Sequence, residues 1–165
     1  MIEGIQWYQA RAGEAGCYYD SLCFLAEMDR MKHGNMERID PIAWMSIHVA
    51  SKAIDPTTFF VLKADRVFSD LTGRMFKVLY ASDGLRSDGT PYDLTSAYQI
   101  QDGEYEILRF EKPDGSGHFV VGKGGVYKGI ESIAFDPYKN PLTGVMSETV
   151  RIGKLISRRI LREIK

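Results

Sequence analysis

Hydrophobic positions fall into two regimes along the chain. Between Tyr18 and Met31, Leu22, Leu25 and Ala26, with Met28 or Asp29, recur at near-helical spacing, and Gly34-Asn35 supplies a stop. This predicts a first helix beginning at or just after Cys17. Asp40-Pro41 reads as an N-cap followed by proline at the first helical position, leading into Ile42, Met45, Ile47, Val49 and Ala50, and a second helix to about Ala53. Ala64 to Leu71, closed by Thr72-Gly73, predicts a short third helix. From Met75 the period falls to two: Phe76, Val78 and Tyr80 alternate with polar or small neighbours. Tyr98 to Gln101, Tyr105 to Phe110, His118 to Val121 and Glu131 to Phe135 follow as strand candidates, separated by Asp102-Gly103, the Pro113 to Gly117 run and Lys123-Gly124-Gly125.

The tail from Thr149 to Lys165 fits two readings. Ile152, Ile156, Ile160 and Ile164 suit a helix, whereas Val150, Ile152 and a turn at Gly153-Lys154 suit a hairpin, towards which the reading leans. Helices followed by strands give an α+β class, with N-terminal helices packed on a C-terminal antiparallel β-sheet. There is no internal repeat or low-complexity linker, and 165 residues with 44% apolar content are expected to form one domain over 1–165.

Charge narrows the function classes. Twenty-one basic and 22 acidic side chains leave a net charge of -1, which gives no global field for nucleic acid or an anionic membrane. The one basic stretch is the tail, where Arg151, Lys154, Arg158, Arg159, Arg162 and Lys165 face only Glu163; a solvated face is its ordinary explanation. No apolar run approaches a membrane span and no secretory leader is evident, so a cytoplasmic location is expected. Cys17 and Cys23 sit six positions apart on one predicted helix, a poor geometry for a disulfide. His33, His48 and His118 show no metal-ligand spacing and no phosphate loop occurs, so no cofactor or metal is implied.

Three elements carry chemistry in their order: Gly16-Cys17 at a helix start, Gly117-His118-Phe119-Val120-Val121 opening a strand, and Phe135-Asp136-Pro137 closing another. A thiol at a helix N-terminus is favoured as thiolate, a histidine after a glycine turn can face that helix, and an aspartate on the next strand can fix its tautomer. Cys23, amid Leu22, Phe24 and Leu25, reads as a core hydrophobe. His33 in its polar loop and His48 within the second helix read as a cap or a partly buried helix residue. The Ser82 to Ala97 loop reads chiefly as a solvated connector, with a cleft wall as the alternative.

Together, Gln9, Ala15-Gly16-Cys17-Tyr18, Ser21-Leu22, Gly117-His118-Phe119-Val120-Val121-Gly122 and Phe135-Asp136-Pro137 resemble the papain-like cysteine peptidase superfamily, most closely its bacteriocin-processing, C39-type branch. A group of uncharacterised short bacterial and phage proteins carries a similar pattern. The resemblance implies a papain-like fold in which Cys17 is the nucleophile, His118 the general base and acid, and Asp136 the orienting partner. It also implies a glutamine donor to the oxyanion, for which Gln9 is chosen over Gln6. Gln9 lies eight residues before Cys17, against about six in the family. The peptidoglycan-cleaving NlpC/P60 group shares a related fold but usually has a tighter cysteine-to-histidine separation than the 101 residues here. The implied activity is cleavage of a peptide or isopeptide bond in a peptide or protein substrate. The competing expectations are an inactive binding or phage-associated module of the same fold and, less favoured, a nucleic-acid binder acting through the basic tail.

Overall fold

The computed structural model describes residues 14–165. Three helices, α1 (Glu14–Lys32), α2 (Pro41–Ala50) and α3 (Ala64–Thr72), precede the strands β1 (Phe76–Ala81), β2 (Tyr105–Glu111), β3 (Gly117–Gly122) and β4 (Ile133–Phe135). A short helix, α4 (Glu148–Ile152), then leads into the long last strand, β5 (Lys154–Glu163). The five strands form one antiparallel sheet in the order β1-β5-β2-β3-β4, so the protein is α+β.

Local chemistry explains most boundaries. Asp40 Oδ1 accepts from the N–H groups of Ile42 (3.0 Å) and Ala43 (3.3 Å), capping α2 ahead of Pro41. The first helix starts at Glu14, earlier than the expected start at Cys17. Glu14 and Ala15 are good helix formers, and a glycine at position 16 falls in the first turn. From Cys17 to Cys23 every residue is buried, including Asp20 and Ser21, so α1 enters the core with no polar stripe to mark its edge.

The tail follows the strand reading from Lys154 onward, not the helix through Ile156, Ile160 and Ile164, and the expected first hairpin arm at Val150 and Ile152 is helical instead. Residues 148–152 are helical, and the strand that follows lies in the interior of the sheet, between β1 and β2. Gly153 makes the junction possible: a Cβ there would stand 2.2 Å from the Thr149 carbonyl oxygen and 2.9 Å from that of Glu111. Two expected strands differ. Residues 98–101 form no strand, because the carbonyls of Ser96 and Tyr98 accept from the Arg158 guanidinium at 3.0 and 2.6 Å. Residues 130–132 form a 3-10 turn, leaving β4 only three residues.

The sheet is covered on both faces. Phe76, Tyr105, Ile107, Phe119, Val121 and Leu161 face the helical layer, meeting Leu22, Ala26 and Phe68 among others. Leu108, Phe110, Val120 and Ile133 face the other way, against Val150 of α4, with Tyr127, Met146 and Leu155 beside them. The Ser82 to Ala97 loop lies along the outer edge of β1, where Ser82 N–H donates to the Leu94 carbonyl (3.0 Å) and Leu94 N–H to that of Tyr80 (3.0 Å). It is a connector that covers an edge. No helix among the described residues is long and apolar enough to cross a membrane.

Candidate active site

Strand β3 carries the centre of the site. It pairs with β2 along its length, but β4 meets it only at Val121 and Gly122. The Phe119 N–H, two residues short of that junction, donates to Cys17 Sγ at 3.2 Å. A backbone N–H aimed at sulfur stabilises the thiolate over the thiol. Cys17 is fully buried in the first turn of α1, and neither Cys17 nor Cys23 is in a disulfide.

His118 lies one peptide group away. Strand alternation turns the Phe119 ring towards α1 and the imidazole towards the opposite face, where His118 stands across from Phe110. The thiol reaches the strand at the peptide joining these two residues. His118 Nε2 is 2.6 Å from Asp136 Oδ1, and the Tyr138 ring stacks on the imidazole at 4.7 Å. An ionised carboxylate only accepts, so Nε2 carries a proton, and in the neutral ring the lone pair is on Nδ1. That Nδ1 is buried and has no hydrogen-bond partner among the described residues. His118 Nδ1 therefore makes no hydrogen bond to the thiol.

Asp136, just beyond β4, is held from three directions. Its Oδ1 also accepts from Tyr138 N–H and its Oδ2 from Ser147 N–H, each at 2.9 Å. Burial pushes this carboxyl up, but the hydrogen bond and charge of His118 and the two backbone donors outweigh it and hold the group below the ordinary carboxylate range. Asp136 is thus ionised and fixed, as an orienting partner of an imidazole must be.

A groove of about 1090 Å³ opens beside this pair. Asp20, Phe24 and Glu27 of α1 form one wall; Phe135 to Tyr138 and the chain to Met146 form the other. Phe24 and Phe135 stack at 4.3 Å between the walls. Glu27 is already engaged, accepting from Arg38 Nε (3.1 Å) and Ile39 N–H (2.9 Å). Cys23 lines the same groove, but burial pushes its thiol well up, as expected of a core cysteine.

The structure thus pairs His118 with Asp136 and sets the Cys17 thiol on the N–H of the residue after His118, while Gln9 and Gln6 lie outside the described residues. His48 is a second, internal histidine pair: Nδ1 meets Tyr19 Oη and Nε2 meets Asp70 Oδ2, both at 3.2 Å, with no exposed surface. Both its nitrogens are satisfied, which suits a core role. Among the described residues no group of three His, Cys, Asp or Glu side chains is placed to hold a metal ion. Comparison with family models, with curated proteins and with solved structures finds no match.

Proposed function

We propose that this chain is a cysteine hydrolase of the papain-like kind, cleaving a peptide or isopeptide bond through a thioacyl intermediate. The observation that carries the reading is the buried His118–Asp136 pair on the residue next to Phe119, whose N–H donates to the Cys17 thiol. His118 Nδ1 takes the thiol proton, and the sulfur attacks the carbonyl carbon of the scissile bond. The imidazolium then returns that proton to the leaving amine as the C–N bond breaks. Water, deprotonated by the same nitrogen, releases the acid from the thioester and restores the thiol. Asp136 keeps the proton on Nε2 in the resting state and stabilises the imidazolium in between. The productive pair requires the Cys17 sulfur to leave the Phe119 N–H and meet Nδ1 past the open edge of β3, beyond the end of its pairing with β4, as such contacts often form only with substrate.

Full burial of Cys17 and the unmade thiol–imidazole bond favour a second reading, a binding module that retains the architecture without turnover. Iodoacetamide at pH 6 with peptide mapping separates the two. An ordinary thiol of pKa about 8.5 is under about 1% ionised at that pH. A hydrolase alkylates quickly at Cys17, slowly at Cys23, and loses the difference in His118→Ala. Alkaline-only labelling of both cysteines, indifferent to His118, establishes the binding module.

A further inference from the structure

The arginines of the sheet have acidic partners, with one exception. Arg158 pairs with Glu106 at 2.7 Å, Arg162 with Glu104 at 2.6 Å, Arg109 with Glu111 at 2.8 Å, and Arg74, just ahead of β1, with Asp29 and Glu163. Arg159 has no carboxylate within ion-pairing distance among the described residues. It pairs in register with Tyr80 on β1 and Ile107 on β2, so its side chain enters the helical side of the sheet. There the guanidinium carbon stands 4.7 Å from the centroid of the Phe119 ring, 5.0 Å from that of Tyr80 and 5.8 Å from that of Tyr18. Among the described residues its Nη1 donates to Ser157 Oγ at 2.6 Å, and its buried Nε has no partner.

The neighbouring phenol repeats the anomaly. Tyr18 is 7% exposed and stacks on Phe119 at 4.5 Å, yet its hydroxyl has no hydrogen-bond partner among the described residues. Burial pushes this phenol up, against the pull of the Arg159 guanidinium beside it, so it remains a donor. Two buried donors without acceptors among the described residues, on facing elements, are uncommon in a native interior and mark a place that an acceptor fits. Both also adjoin the nucleophile: Tyr18 follows Cys17 in sequence, and Phe119, whose ring carries the guanidinium, donates its N–H to the thiol.

We propose that Arg159 and the Tyr18 hydroxyl form a subsite for a substrate carboxylate beside the scissile bond, making this a hydrolase of acidic acyl or peptide substrates. The proposal rests on Cys17 being the nucleophile. One planar guanidinium edge with one phenol matches a carboxylate in charge and in donor number. The aromatic rings around the guanidinium hold it in place without neutralising it. The carboxylate is that of an acidic side chain or of a free C-terminus.

Small bromoacetyl probes distinguish these sources and test the subsite. N-bromoacetyl-glycine presents an α-carboxylate, and N-bromoacetyl-glutamic acid α-amide presents a side-chain carboxylate. N-bromoacetyl-glycinamide and N-bromoacetyl-glutamine α-amide are their neutral counterparts. In each reaction the Cys17 S–C bond forms as bromide leaves. The quantity read is the ratio of Cys17 alkylation rates, anionic over neutral, at pH 6. We expect one acidic probe to exceed its neutral counterpart by about tenfold or more, the effect of a charge-assisted hydrogen bond in a partly buried site. Added salt reduces the ratio. Arg159→Gln returns it to the value measured with a free thiol, Arg159→Lys retains part of it, and Tyr18→Phe lowers it with the guanidinium still in place. Rapid, His118-dependent labelling with the same ratio in wild type, Arg159→Gln and Tyr18→Phe overturns the subsite and leaves the hydrolase intact. Failure of Cys17 to react with any probe at pH 6 overturns both.

Discussion

Replacing Asp136 distinguishes its structural share from its catalytic one, because the three groups it accepts from are known. In Asp136→Ala, the His118 Nε2–H loses its acceptor in a buried setting, and the N–H groups of Tyr138 and Ser147 lose theirs beside the groove. The stranded imidazole donor costs about 1–3 kcal/mol, and the two N–H groups, which water can reach, add less, together a large share of the stability of a domain. The expected result is a folding defect. Asp136→Asn is more informative. Its single carbonyl oxygen satisfies two donors when it takes the place of Oδ1 and only one when it takes that of Oδ2, so it settles towards His118 and Tyr138 and turns its amide onto Ser147.

That orientation keeps the proton on Nε2 and removes the negative charge. The lost bond to Ser147 amounts to about 1.5–3 kcal/mol, or a fall of roughly 3–12 °C in the melting temperature of a chain this long. Without its anionic partner the imidazolium is weaker by about half of a charge-assisted bond, and alkylation of Cys17 at pH 6 slows by about tenfold. Thermal melts and iodoacetamide labelling from pH 5 to 9 measure the two effects on one sample. Asp136→Asn with the wild-type rate and pH profile refutes the coupling of Asp136 to the base. Asp136→Ala with wild-type stability refutes the donor accounting.

Other consequences follow from the buried polar groups. His48 is held neutral mainly by burial, against the pull of Asp70, so its folded pKa lies below the ordinary value of about 6.5. Its contribution is complete above that value and is lost as pH falls below it, since the unfolded chain then binds the proton more readily; urea midpoints measured downward from neutral pH decline less in His48→Phe than in wild type. Glu106→Ala strands the buried Arg158 guanidinium and releases the Gly124 N–H, with an expected loss of about 3–5 kcal/mol in chemical denaturation. Gly122→Ala places a Cβ 2.3 Å from Glu106 Oε1, an oxygen pinned by Gly124 and unable to swing aside, and destabilises by about 1–3 kcal/mol in the same assay.

Where the chain's local chemistry is decisive, the elements can be read from sequence. Asp40-Pro41 and Thr72-Gly73 mark helix ends by capping, alternation marks β1, and glycine-rich turns bracket β3. The readings fail where a distant residue intervenes. Residues 98–101 have the composition of a strand, but an arginine about 60 positions downstream takes the carbonyls flanking that stretch. The start of α1 is hidden for a related reason: burial all round leaves no apolar stripe whose beginning can be located.

The same distinction runs through the site. His118 and Asp136 are legible because each stands at the end of a short strand, next to a glycine or proline, and the hairpin that joins them is local in sequence. Arg159 is not. In sequence it is one of six basic residues in a tail that reads as a solvated face, yet Arg158 and Arg162 are spent on Glu106 and Glu104 inside the protein, and Arg159 points among three aromatic rings. Its proximity to Tyr18 and Phe119 depends on the last strand inserting between β1 and β2. That pairing joins residue 159 to residues 80 and 107 and brings it across the sheet from a helix at the other end of the chain. The order of Cys17, His118 and Asp136 is therefore written in local motifs that survive reading one segment at a time, whereas the proposed carboxylate subsite exists only once the most non-local strand has found its place.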